Sequence, residues 1–198
     1  MSKDFIEEEF LGVEAKVDKT FRELGGCGCF QIFAYLVIGL GIHSQGFYIY
    51  MLGYYEQPPA YRCTFQDTQG LQPCSLSQIC GGEAQNPQID WSSDKSLDNW
   101  FVQLDLLCES KLKIALIGSA FFLGWMSTLL WIPRISDLHG RKRVLVAGQI
   151  ISAGLFTALL FVVNIEFLIA VMFGLGAMRT INISLSFVYL IELMPREQ

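Results

Sequence analysis

Four long stretches almost free of charge divide the chain. Residues 24–55, 114–133 and 144–165 carry no charged side chain, and residues 167–191 carry one, Arg179. A bilayer core about 30 Å thick is crossed by about 20 helical residues. Lipid offers backbone amides no partner, so each stretch is expected as a helix that satisfies its own. The pattern predicts an all-α integral membrane fold with membrane-spanning helices over residues 30–53, 111–133, 144–165 and 166–194. Between them lie a tail (1–29), a long loop (54–110), a short loop (134–143) and a short end (195–198). Small residues one turn apart, Ala120/Gly124, Gly148/Ser152 and Ala170/Gly174, are expected to be seams where helices pack closely.

Composition agrees with this reading. The chain is 52% hydrophobic and 17% charged, whereas soluble domains are about a quarter charged. The net charge of −5, with acids gathered in the tail and the long loop, offers no basic face for nucleic acid. The start is acidic (Asp4, Glu7, Glu8, Glu9) and lacks the basic opening of a secretory signal, so the first helix is expected to be an uncleaved anchor. Orientation follows from lysine and arginine in the loops. Arg134, Arg141, Lys142 and Arg143 place residues 134–143 in the cytoplasm. Residues 54–110, with Arg62 and Lys95 against eight acids, then lie outside. Four crossings put both termini in the cytoplasm of a multi-pass protein, expected in the plasma membrane. Lys111 and Lys113 oppose the rule and are expected to snorkel.

Four of the six cysteines, Cys63, Cys74, Cys80 and Cys108, fall in the segment expected outside. An even set in an oxidising compartment points to two disulfides, with three pairings open; free thiols or metal binding are the alternatives. The spacing holds no CxxC pair and the segment no histidine, so no metal site is expected. Cys27 and Cys29, at the inner edge of the first helix, are expected to be free or lipidated.

The strongest local signal is Ser136-Asp137-Leu138-His139-Gly140-Arg141-Lys142-Arg143. Gly140 permits the positive φ of a tight turn, and Asp137 is placed to cap the next helix or to pair with an arginine. Charge alone also fits a solvated anchor. The order of residue types resembles the signature loop of the major facilitator superfamily, an Asp followed three residues later by Gly-Arg-Lys. Asp137, Gly140, Arg141 and Lys142 match it; Pro133 stands where the family has a Gly, and Leu138 where a basic residue is common. The entry 24–31 (Gly25, Gly26, Phe30, Gln31), the loop ending Leu104-Asp105-Leu106-Leu107-Cys108, and Tyr189 with Glu192 are similar to the organic cation, anion and carnitine branch. The resemblance implies the N-terminal part of a twelve-helix fold. It also implies a signature loop that latches helices during alternating access, and a small organic ion as substrate.

A mid-membrane arginine costs about 2.5–3.5 kcal/mol on insertion scales, so Arg179 is expected to face a cavity or a partner. Asn182, Ser186 and Tyr189 follow it at helical spacing, and His43, Ser44 and Gln45 cluster in the first helix. The resemblance implies that these helices line the substrate cavity, so His43, Gln45, Arg179, Asn182 and Tyr189 are its candidate lining; interhelical hydrogen bonds or an Arg179–Glu192 pair are the alternative. No phosphate loop or metal cluster marks an enzyme, and no cofactor is expected. Besides the lipid bilayer, the expected partners are missing C-terminal helices or a second membrane protein. The expected function is secondary transport by a partial or shortened chain inactive alone. The alternatives are a four-helix adhesion protein of claudin-like topology and a shortened paralogue that regulates a transporter.

Overall fold

The computed structural model describes Lys19, residues 28–65 and residues 70–193. The expectations for the acidic tail, for Cys27 and for residues 194–198 lie outside those residues. Helix α1 (Cys29–Tyr55) is followed by strands β1 (Tyr61–Thr64) and β2 (Gln72–Cys74), helix α2 (Leu76–Cys80), strand β3 (Gln85–Ile89) and helix α3 (Trp100–Gln103). Then come α4 (Lys111–Leu129), α5 (Ile132–His139), α6 (Arg141–Leu159), α7 (Ile165–Arg179), a π-helical segment (Thr180–Leu185) and α8 (Ser186–Leu193). Among the described residues four helical runs are long and apolar enough to cross a membrane: Cys29–Tyr55, Lys111–Leu129, Arg141–Leu159 and Ile165–Leu193.

Local chemistry sets the ends of these helices. Ser110 caps α4 by accepting from the Lys113 amide at 3.3 Å. Asn164 caps α7 by accepting from the Phe167 amide at 2.8 Å. Each satisfies an amide that the first helical turn leaves unpaired.

Among the described helices α4 and α7 pack backbone against backbone. A Cβ on Gly124 would overlap the Phe173 carbonyl oxygen, and one on Gly176 would overlap that of Phe121. Absent side chains are what let the two backbones meet. Around this seam Ile117, Phe121, Leu168 and Met172 are fully buried. Tyr48 of α1 reaches into the same core, donating to the Met172 sulfur at 2.7 Å and stacking edge-on against Phe156 at 5.3 Å. Gly148 and Gly174 likewise face Ile181 and Leu155 at close range.

The expectation of an all-α fold is corrected in the segment 54–110. Its three strands form an antiparallel sheet in the order β2-β1-β3. In β1 the side chains alternate, Tyr61 and Cys63 buried and Arg62 exposed, as a pleated strand requires. Disulfides Cys63–Cys74 and Cys80–Cys108 settle the open pairing. Asn99 fastens this small domain to α1, donating to the carbonyls of Tyr54 and Gln57 at 2.7 and 2.8 Å. Glu56, just past α1, packs its carboxyl against Gly118 of α4 with Oε1 buried and unpaired. Burial pushes its pKa up to about 7, an effect the Gly118 backbone only partly offsets.

Two further expectations need correction. Residues 134–143, expected as a loop, are largely helical: α5 runs to His139, and α6 starts at Arg141. Pro133 sits in the first turn of α5, where its missing N–H costs nothing, so it starts a helix here. Only Gly140 breaks the run, at φ 89°. The fourth span is not a uniform α-helix either, because residues 180–185 are wound as a π-helix.

Candidate functional site

The Gly140 turn brings three helices together through one side chain. Arg141 donates from Nη2 toward Asp137 Oδ1 at 3.0 Å and from Nε toward Glu192 Oε1 at 3.2 Å. Asp137 lies in the last turn of α5, Arg141 opens α6, and Glu192 lies in the last turn of α8. A planar guanidinium suits this task because its donors point in fixed, separate directions. A cavity of about 600 Å³ opens beside the bridge, lined by Asp137, His139, Lys142, Arg143, Tyr189 and Glu192. Beneath it a second cavity of about 200 Å³ runs between α5 and the π-helical segment, past Pro133, Ser136, Thr180 and Ser184. Of the four signature residues, Asp137 and Arg141 thus make the bridge. Gly140 supplies the turn, and Lys142 lines the cavity.

The second polar feature lies halfway along the fourth span. Arg179 donates to the Gln45 carbonyl of α1 at 3.4 Å, and its guanidinium lies 4.7 Å from the Trp125 ring and 5.8 Å from the Phe121 ring of α4. Cation–π contact is an acceptable setting for an arginine that has left water. Arg179 Nε and Trp125 Nε1 are nevertheless buried without acceptors. Among the described residues no carboxylate pairs with Arg179, and Glu192 goes to Arg141 instead.

The five residues expected around one cavity do not share one. Gln45 and Arg179 meet. Asn182 turns away and donates to Ser152 of α6 at 2.8 Å, fully buried. Tyr189 lines the cavity at the Gly140 end. His43 is exposed on another face of α1. The π-helical segment explains the divergence, since it breaks the regular spacing that would keep Arg179, Asn182 and Tyr189 in one stripe. Trp125 was legible in principle, because Phe121 and Trp125 are four apart and so share a helix face. Thr128 and Thr180, whose hydroxyls lie 2.9 Å apart across α4 and the π-helical segment, left no such signal.

The sequence profile of the Major Facilitator Superfamily matches residues 92–198, more than half of the chain. The chain belongs to the Major Facilitator Superfamily. Members of this superfamily are membrane transporters. The matched region holds three of the four spans, the Arg141 bridge and Arg179. No curated protein matches the chain.

Proposed function

We propose that the chain is part of a secondary transporter of small organic ions that works by alternating access. The observation that carries this reading is the Arg141 bridge. It fastens the ends of α5, α6 and α8 together through exposed or half-buried ion pairs. Such pairs are worth about 1 kcal/mol or less, weak enough to open and close as helices move. The π-helical segment between the bridge and Arg179 gives α7 and α8 a place to change their relative angle. In this reading the disulfide-bonded domain faces outward at the plasma membrane and the Gly140 turn faces the cytoplasm. Organic-ion specificity is supported by the entry and loop-closing residues that resemble the organic cation, anion and carnitine branch.

Major-facilitator transport rocks two six-helix halves about a central site. The four spans here correspond to part of one half, so uptake requires further helices, in the same polypeptide or from a partner. The test uses cells that natively express the protein. Silencing its transcript is expected to lower saturable uptake of at least one radiolabelled organic ion. Unchanged uptake across a panel of cations, anions and zwitterions would refute the transporter reading. Saturable uptake by vesicles holding the 198 residues alone would refute the need for further helices.

A further inference from the structure

We propose that Arg179 and Trp125 form the docking point for the carboxylate of a small organic anion. This rests on the transporter reading and narrows its substrate class. Among the described residues Arg179 is the one charged side chain deep inside the four spans. Lys111 and Lys113 sit in the first turn of α4, Arg141, Lys142 and Arg143 in the first turn of α6, Glu166 in the first turn of α7, and Glu192 at the end of α8. None of these acids reaches Arg179. Its partners are one long hydrogen bond to the Gln45 carbonyl and two aromatic faces.

The unmet donors define the missing group. Arg179 Nε and Trp125 Nε1 are both buried, both lack an acceptor, and belong to side chains in contact. Each of these atoms can only donate, and buried donors are rarely left unpaired. What is missing is therefore an acceptor, and the guanidinium beside it asks for a negative one. A carboxylate meets both demands, since its two oxygens suit the arginine fork and its single charge balances a single guanidinium. A phosphate dianion would leave excess charge in an apolar setting, and an organic cation would meet like charge. The Trp125 ring, half-buried beside the guanidinium, offers flat apolar surface to the body of an aromatic or aliphatic acid.

The test is equilibrium binding of radiolabelled benzoate and of tetraethylammonium to the purified chain in lipid nanodiscs, with empty nanodiscs as blank. Wild-type protein is expected to bind benzoate saturably, and tetraethylammonium should not displace it. Arg179→Gln should weaken benzoate binding at least about tenfold, and Arg179→Lys, which keeps charge without the fork, by less. Trp125→Phe keeps the ring under Arg179 and removes only the N–H; it should weaken benzoate about threefold or more. It serves as the second variant should Arg179→Gln fail to fold. Equal benzoate affinity in wild type, Arg179→Gln and Trp125→Phe, or preference for tetraethylammonium, would overturn the proposal and leave transport of another organic ion standing. Binding of neither probe by wild type would also overturn the proposal, while the transporter reading stands or falls on the uptake test in cells.

Discussion

Arg141 and Glu56 show how much depends on where a charge meets its partner. Arg141 is half-buried and divides its donors between Asp137 and Glu192, so replacing it by lysine, a point charge without a fork, should release one of the two acids. Glu56 is the opposite case, a carboxyl without a paired cation whose pKa is raised to about 7 by burial. The folded protein then binds a proton that the unfolded chain releases near pH 4.5. Its contribution is fully present below that pH and is lost as pH rises through 7. Thermal unfolding in detergent should therefore show stability falling by about 1–2 kcal/mol between pH 5 and 8, after allowing for screening of a half-exposed group. Glu56→Gln should remove that slope; an identical slope in the variant would show that Glu56 is not its source. Neither residue was equally legible. Asp137 and Arg141 stood out because their spacing matches a signature, whereas Glu56 read as the first charge after an apolar run. Only its packing on Gly118, sixty-two positions along the chain, sets it apart.

Among the elements, the seam between α4 and α7 is the least tolerant of change. Gly176→Val adds side-chain atoms where even a Cβ would overlap the Phe121 carbonyl. Overpacking of this kind costs about 1–3 kcal/mol or more, and a clear drop in unfolding temperature should follow. Gly154→Ala, at a position with open space, is the control, and equal behaviour of the two would contradict the packing described here. The disulfide-bonded domain depends on Cys80–Cys108, which spans 28 residues and by chain entropy is worth roughly 3.5 kcal/mol. Replacing both cysteines by serine should make residues 54–110 cleavable by trypsin at Arg62 or Lys95 under conditions where the wild type is resistant; continued resistance would show that the sheet stands without that bond. The spans were readable because lipid demands long charge-free helices. The sheet was not, since strands of three to five residues are too short for a period-two pattern to emerge. The π-helical segment was not readable either, because its winding answers to contacts such as Asn182 with Ser152, thirty residues away.

For the whole molecule, superfamily membership and four apolar spans describe a multi-pass chain of a membrane-transporter family. Its orientation is a proposal drawn from charge. A membrane-impermeant thiol reagent applied to intact cells should label Ser92→Cys and spare Leu138→Cys, both at exposed positions; the reverse pattern would invert the topology. The central claim is that the Arg141 bridge acts as a conformational latch in transport and is more than a solvated anchor. The most direct measurement is saturable uptake in cells expressing the complete protein, wild type against Asp137→Asn at equal surface level. Losing one ion pair of about 1 kcal/mol predicts uptake changed about fivefold, with insertion unaffected because acids contribute little to orientation. Uptake equal to wild type at matched surface level would contradict the latch and leave residues 134–143 as a charged anchor.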